Sequence, residues 1–288
     1  MASYDYVTKR LAGMASTRQT WEDHWQEILD YVMPRKADIT FQRTRGEKRT
    51  DILFDSTAIT ASNLLAASLQ GTLTSPSLQW FHLKLKNTDL NLDREVQLWL
   101  EDCSKRMYDM FNETNFNSEV HELYLDICSI GTGALFVEEA KSGVLDDGIH
   151  FNCLHIAEYY IQENTSGYVD TLYRKYKLSA RQAVQEFGVE NLGDKITAAL
   201  KDKPDKEFVF IHAVEPTVDY ENAGGKVGTK LPFHSCHVCI EDKMIVRTGG
   251  YYDFPYLVPR WSKATGEIFG RSPSYNALPD IKTLNKAV

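Results

Sequence analysis

The spacing of apolar residues predicts helices in the first quarter of the chain. One helical face is formed by residues three and four apart, namely Trp21, Trp25, Ile28, Leu29 and Val32. Thr20 and Asp23 resemble a capping box at the start of this helix, and Pro34 is expected to end it. A second helix, rich in Ala and Ser, is expected over 56–70, with Asp55 as its N-cap and Gly71 at its end.

In the next segment, apolar residues first occur at every second position and then return to helical spacing. Between Trp80 and Leu85, alternate residues are apolar, which predicts a short strand with Phe81, Leu83 and Leu85 on one face. A third helix is expected over 93–112; its apolar stripe is Val96, Trp99, Leu100, Cys103, Met107 and Met110. A fourth helix is expected over 115–130, with Ser118 as its N-cap and with Gly131 and Gly133 after its end. Its inward residues are expected to be Val120, Leu123, Tyr124 and Ile127.

Near residue 134 the pattern changes from helical to strand spacing. Strands are expected over 134–138, 149–156, 159–162, 169–177, 207–214, 233–240 and 244–248. Ser179 and Gln182 predict a capped helix that ends at Gly188, and another helix is expected over 192–201. A loop is expected over 219–230, and a last helix, kinked at Pro279, over 272–288. Helices, then strands, then one helix predict an α+β fold.

Composition and charge exclude some classes of protein. The 288 residues include 32 basic and 40 acidic side chains, a formal net charge of −8. Proteins that grip DNA by counterion release usually have a basic excess, so a tight DNA-binding module is disfavoured. The sequence has no run of about 18 apolar residues, so no membrane span is expected. The first residues do not resemble a signal peptide, so a cytoplasmic origin is expected. The five cysteines are expected to be free thiols.

The best candidate for a metal or thiol site is the segment that contains His234, Cys236, His237 and Cys239. It alternates like a strand, which places His234 and Cys236 on one face and the other two residues on the opposite face. We therefore expect no metal site here, but a strand that pairs with 244–248 through a turn at Glu241-Asp242. Cys103 and Cys128 lie on or beside apolar helical stripes and are interpreted as core residues.

Other charged groups are interpreted as solvated. The carboxylate pairs Glu138-Glu139 and Asp146-Asp147 are expected at exposed edges, and the basic run over 35–49 is expected to be a solvated loop. Its basic residues are Arg35, Lys36, Arg43, Arg45, Lys48 and Arg49. The sequence contains no phosphate-binding loop, dinucleotide fingerprint or hydrolase elbow. We therefore expect no enzyme and no cofactor, which favours a structural or assembly role.

Several stretches, taken in order, point to a known family. They are Asp55–Ala58, Leu64–Leu69, Leu73–Pro76, Trp80-Phe81, Gly131-Thr132-Gly133, Arg260–Lys263, Gly270–Pro273 and Ala277–Asp280. In this order they resemble the head-to-tail connecting (portal) protein family of short-tailed bacteriophages. The resemblance covers nearly the whole chain.

The resemblance implies a ring, usually of about twelve subunits, at one vertex of the viral capsid. Double-stranded DNA passes through such a ring during packaging and ejection without tight sequence-specific binding. The implied partners are other copies of the chain, the terminase large subunit, the major capsid and scaffolding proteins, and tail or adaptor proteins. The implied location is the portal vertex of the virion, reached from the host cytoplasm, with no membrane. Twelve copies with −8 each would have a formal charge near −96, which would keep phosphates from adhering.

The resemblance also implies a division of the chain. Residues 1–133 would form a helical wing-type region, 134–260 a strand-rich region with the clip, and 261–288 the start of a stem-type helix. Lys282 and Lys286 become candidates to face the DNA channel. The small residues expected to allow close subunit packing are Ala58, Ala61, Ala66 and Ala67.

Two further points stay open at this stage. Family members are roughly twice as long as this chain, so we expect an N-terminal half that is truncated after Val288, and its ability to assemble alone is undecided. The alternatives are a structural adaptor in another assembly, or a metal or thiol enzyme that uses Cys236 and Cys239.

Overall fold

A computed structural model describes residues 2–41, 44, 46–50, 52–139, 148–222, 224 and 231–287. The chain forms two compact units. The first comprises Met1–His24, Ile39–Phe41 and His155–Tyr256; the second comprises Trp25–Asp38, Gln42–Leu154 and Leu257–Val288. The predicted pair Asp146-Asp147 and the basic residues Arg43 and Arg45 lie outside the described residues.

Within the described residues the fold is α+β, as predicted, with eight helices and eight strands. The helices are α1 (Ala2–Val32), α2 (Thr57–Leu73), α3 (Arg94–Glu113), α4 (Phe116–Ser129), α5 (Ala180–Phe187), α6 (Asp194–Asp202), α7 (Thr217–Asn222) and α8 (Pro273–Ala287). The strands are β1 (Ala134–Glu139), β2 (Ile149–Leu154), β3 (Tyr159–Glu163), β4 (Val169–Ser179), β5 (Glu207–Pro216), β6 (Phe233–Cys239), β7 (Met244–Tyr251) and β8 (Tyr256–Leu257).

The first unit is built on an antiparallel five-stranded sheet in the order β3-β4-β5-β6-β7. Successive residues of β5 face opposite sides, so Phe208 and Phe210 pack with α5 and α6 while Ile211 and Ala213 pack with α1. Helix α1 contributes apolar residues at helical spacing to its side of the sheet; they are Val7, Leu11 and Met14. The sheet is thus covered on both faces.

In the second unit, helix α4 is the central element. Nine of its residues are buried, from Phe116 to Ser129, and the four predicted inward positions are among them. It packs with α2, α3, β1, β2 and α8. The end of α1 joins this core through Trp25, whose ring meets that of Phe269 edge-on at a centroid distance of 4.9 Å.

Local capping signals predicted several boundaries correctly. The Ser179 side chain accepts a hydrogen bond from the Gln182 amide at 3.3 Å, and the Gln182 side chain accepts one from the Ser179 amide at 2.9 Å. This is the predicted capping box, and α5 ends at Phe187 with the predicted Gly188 as its C-cap. Gly131, with φ of 84°, follows the end of α4 as expected. Strands β6 and β7 form the predicted hairpin, in which Cys236 pairs with Thr248.

The strand predicted between Trp80 and Leu85 is wrong: these residues form no strand. The alternation is real, since Phe81, Leu83 and Leu85 are half-buried and their neighbours are exposed. However, the backbone bonds to side chains instead of to a second strand. The Leu83 amide donates to Ser104 Oγ at 3.1 Å and the Leu85 amide donates to Asn91 Oδ1 at 2.9 Å.

Several predicted helix ends are also wrong. Helix α1 begins at Ala2, not near Thr20, because residues 7–14 pack against the sheet and extend the helix. Asn115, not Ser118, precedes α4; the Ser118 hydroxyl instead donates to the Asn115 carbonyl. Helix α2 continues past Gly71 to Leu73, because this glycine keeps helical backbone angles. The first part of the predicted 219–230 loop belongs to α7, which ends at Asn222.

The α3 stripe is only partly buried. Leu100 and Ser104 face the core, whereas Trp99 is 61% exposed and Met107 and Met110 are also exposed. The core interpretation of Cys103 holds only in part, since this residue is half-buried. The second unit therefore leaves one edge of the α3 stripe open to solvent.

Candidate assembly site around the C-terminal helix

Two of the short motifs meet at the start of α8. Gly131 has a positive φ, and a Cβ atom here would lie 2.5 Å from the backbone nitrogen of Ser272. The Gly270 amide donates to Thr132 Oγ1 at 2.8 Å, and the Ser272 hydroxyl donates to the Ser129 carbonyl at 2.6 Å. Only glycine combines this backbone angle with so close an approach. The contact fixes where α8 begins relative to α4.

The segment around Arg260 and Trp261 joins the same junction. The Trp261 amide donates to the Gly131 carbonyl at 2.9 Å, and the Gly133 amide donates to the Pro259 carbonyl at 3.2 Å. Thr132 and Arg260 form an isolated antiparallel bridge. Residues 129–133 thus share one hydrogen-bonded junction with two stretches more than 120 positions later in the sequence, 259–261 and 270–272.

The other end of α8 binds the segment that leads into α2. Asn285 is buried, and its Oδ1 atom accepts hydrogen bonds from the Phe54 amide at 3.0 Å and the Asp55 amide at 3.1 Å. Its Nδ2 group donates to the Ile281 carbonyl at 3.0 Å. The Asn285 side chain therefore accepts two hydrogen bonds and donates one, and it attaches α8 to the entry of α2.

Between α2, α8 and the end of α1 lies a cavity of about 310 Å³. Its apolar lining includes Val32, Ala58, Ala61, Leu65, Ala277 and Ile281. Two of the four alanines singled out for close packing, Ala58 and Ala61, thus line this cavity. Of the other two, Ala66 is fully buried and Ala67 is exposed.

The two lysines of α8 lie in different surroundings. The Lys282 ammonium group pairs with the Glu27 carboxylate of α1, which raises the pKa of Lys282. Lys286 is exposed and forms no ion pair with any other residue that the structure describes. Of the two predicted channel residues, only Lys282 has its charge paired with a carboxylate among the described residues.

Part of the basic run is buried, against the expectation of a solvated loop. The Lys36 ammonium lies 2.6 Å from Asp126 and 3.1 Å from Glu122, and its side chain is 16% exposed. Arg35 also contacts Glu122, at 2.7 Å. The reason is Asp126, a carboxylate only 2% exposed on α4, which needs a paired charge. The sequence does not mark this residue, since it follows apolar Leu125 without any motif.

Comparison with known proteins then gives the family. A family model described as "Bacteriophage head to tail connecting protein" matches residues 5–288. The chain is 30% identical over 282 residues to the "Probable portal protein" of Bordetella phage BPP-1. It is 29% identical over 284 residues to the "Portal protein" of Salmonella phage epsilon15. The chain belongs to the bacteriophage head-to-tail connecting protein family. Each alignment covers 96% of this chain and 50% of the relative, so the chain spans about half the length of the curated relatives it matches.

Membership in the portal family confirms the resemblance drawn from the ordered motifs, and it places the chain among structural components of phages. The motifs that supported it include the residues of the α8 junction. The sequence does not predict the bonding roles of Thr132, at the start of α8, or of Asn285, near its other end. The two glycines that flank Thr132 could have indicated a close backbone contact there. Nothing in the sequence around Asn285 indicates its role.

The structure divides the cysteine and histidine segment as predicted. Cys236 packs on the α1 side of the sheet and Cys239 on the α5–α6 side. Burial raises the pKa of Cys236 to about 12 and that of Cys239 to about 11. A nucleophilic cysteine needs a thiolate at neutral pH, so these buried thiols are poorly suited to that role. No cluster of three potential metal ligands occurs among the described residues.

The nearby histidines are held by aromatic and hydroxyl groups. His212 is buried; its Nδ1 atom lies 2.7 Å from the Tyr256 hydroxyl and its Nε2 atom 2.9 Å from Ser235 Oγ. Its ring stacks on that of His237 at a centroid distance of 4.0 Å. Burial lowers the pKa of His212 to about 3, so the ring is neutral at physiological pH. This polar group is part of the sheet core.

A second buried polar group connects α1 to the sheet. Glu215 is fully buried and accepts hydrogen bonds from the hydroxyls of Tyr6 and Tyr173, each at 2.9 Å, while Arg10 lies 3.0 Å away. Burial and the nearby Glu215 carboxylate raise the pKa of Tyr6 to about 12. The four side chains satisfy one another, so the carboxylate is tolerated in the core.

No helix among the described residues has the length and apolar character needed to cross a lipid bilayer.

Proposed function

We propose that this chain is part of a portal subunit that assembles into a ring, usually of about twelve copies, at one vertex of a phage capsid. The observation behind the proposal is the match to the connector family over residues 5–288. The family motifs that include Gly131 and Ser272 meet at the junction that starts α8, so they have a shared structural purpose.

In this proposal, double-stranded DNA passes through the ring during packaging and ejection. The terminase large subunit docks first, and tail or adaptor proteins replace it, while major capsid and scaffolding proteins surround the ring. The net charge of −8 per chain supports passage without retention, because an acidic surface repels phosphates. The assembly forms in the host cytoplasm and ends in the virion.

The proposed regions follow the sequence pattern. Residues 1–133 would be wing-type, 134–260 would include the clip, and 261–288 would begin the stem. Helix α8 is the element that we assign to the stem, and Lys286, with its exposed charge, is the residue that we place nearest the DNA. Lys282 is a weaker candidate because Glu27 already pairs with it.

Electron microscopy with native mass measurement tests the ring. Both residues 1–288 and the product with any reading frame that follows would be purified and imaged. We expect rings with a central hole from the longer product. A stable monomer from both proteins would contradict the proposal.

The placement of Lys286 is tested by charge reversal in the assembled ring. Lys286→Glu is compared with Lys105→Glu, which makes the same change on an exposed position of α3. We expect Lys286→Glu alone to change the length of DNA packaged per particle. Equal DNA content in both variants and in the wild type would exclude Lys286 from the channel.

A further inference from the structure

The segment of residues 81–86 has one backbone edge on which most groups are hydrogen-bonded. Phe81, Leu83 and Leu85 are half-buried in alternation, as in an extended chain. On their edge, Ser104 accepts from the Leu83 amide, Asn91 bonds both the amide and the carbonyl of Leu85, and the Gln79 side chain donates to the Phe81 carbonyl. Side chains therefore take the place of a neighbouring strand on this edge.

The opposite edge has no partner within the described part of the chain. In an extended segment, the backbone groups of His82 and Lys84 point away from those of Leu83 and Leu85. Neither residue forms a hydrogen bond to any other residue that the structure describes, and both are exposed. The amide and carbonyl groups of these two residues therefore form an open strand edge, which is a template for pairing with another extended segment.

We propose that this open edge, formed by the backbone of residues 81–86, pairs with an extended strand of a second copy of the protein. The inference rests on the proposed ring. Pairing of two copies of the segment with each other is unfavourable, because Lys84 and Lys86 would bring like charges side by side. The contact therefore joins different surfaces of two subunits, and contacts of this heterologous kind can close into a ring.

Charge and apolar exposure favour a copy of the same protein as the occupant. The exposed side of the segment presents His82, Lys84 and Lys86, whereas the chain as a whole has a net charge of −8. Leu78, just before the segment, is 71% exposed, and Leu92, just after it, is 80% exposed. A second subunit would thus find opposite charge on average, open backbone groups and apolar side chains at one place.

Hydrogen exchange measures the pairing directly. In the isolated subunit, the His82 and Lys84 amides are expected to exchange rapidly, while the bonded Leu83 and Leu85 amides are protected and act as an internal control. In the assembled ring, we expect exchange at His82 and Lys84 to slow by at least about tenfold.

A proline series tests the same backbone groups. Lys84→Pro removes an amide on the open edge, and the restriction it imposes on Leu83 is compatible with an extended chain. Lys84→Ala removes the same side chain but keeps the amide. We expect Lys84→Pro to abolish or strongly reduce ring formation and Lys84→Ala to retain it, with similar melting temperatures for the two subunits. If the proline variant does not fold, the exchange measurement on the wild type decides.

The outcomes separate this inference from the function on which it rests. Rings in which the His82 and Lys84 amides stay unprotected overturn the pairing and leave the proposed function intact. Protection that arises only when a different protein is added also overturns it, because the occupant is then not a second copy. Absence of rings from the wild type counts against the proposed function itself, and against the inference with it.

Discussion

Replacing Asn285 by alanine removes the attachment of α8 to the entry of α2. Two accepted hydrogen bonds are lost, from the Phe54 and Asp55 amides, and one donated bond to the Ile281 carbonyl. A net contribution of about 0.5–1.5 kcal/mol per bond gives about 1–3 kcal/mol for the two accepted bonds. Phe54 is 70% exposed, so water can reach its amide, and we expect a loss of about 1–2 kcal/mol.

The assay combines thermal unfolding with hydrogen exchange at the Phe54 and Asp55 amides. A loss of this size corresponds to a fall in Tm of roughly 2–6 °C, and both amides should exchange faster in Asn285→Ala. The matched control, Asn276→Ala, makes the same change at an exposed position of α8, so its stability should stay within about 0.5 kcal/mol of the wild type. The reasoning is refuted if Asn285→Ala shows unchanged exchange and Tm, or if Asn276→Ala is equally destabilised.

Three further predictions concern the backbone junction, a buried histidine and the thiols. Gly131→Ala should destabilise the protein by at least about 1–2 kcal/mol, because φ is 84° and backbone atoms leave no room for a Cβ. Gly13→Ala, in open space on α1, should be neutral or stabilise slightly, and urea unfolding compares the two. For His212, the folded pKa of about 3 lies below the ordinary 6.5, so its stability contribution is complete above pH 6.5 and is lost as the pH falls towards 3. His212→Gln should therefore flatten the stability profile between these pH values, and an unchanged slope would contradict this. Cys236 and Cys239 should react with a thiol reagent at pH 8 only after denaturation; reaction in the native protein would show that the sheet opens there.

Local patterns predicted those elements whose neighbours in sequence supply their partners. The capping box of Ser179 and Gln182 predicted the start of α5, and the alternation of β6 assigned Cys236 and Cys239 to opposite faces of the sheet. Hydrogen bonds between residues three positions apart and the two-residue period of a strand are properties of the local chain, so they can be recognised in the sequence.

The segment from Trp80 to Leu85 shows where local reasoning ends. Its alternation predicts an extended chain, but a strand also needs a neighbouring strand to bond with. Here the side chains of Ser104 and Asn91 bond one edge of the segment instead. The Trp80 ring packs instead in an aromatic group with Phe81, Phe111 and Phe116. An extended chain and a paired strand have the same sequence pattern, so only the three-dimensional arrangement distinguishes them.

The pattern of residues along the chain was sufficient to predict the α+β class, most element positions and, through the ordered motifs, the portal family. Which polar residues are buried, and which groups they contact, is visible only in the folded chain. Asp126 forms an ion pair with Lys36, Glu215 contacts two tyrosine hydroxyls and an arginine, and Asn285 binds the entry of α2. Each of these contacts joins residues far apart in the sequence. The residue type alone does not show whether a polar side chain faces water or a bonding partner. Its role depends on the groups that the fold brings within hydrogen-bond distance.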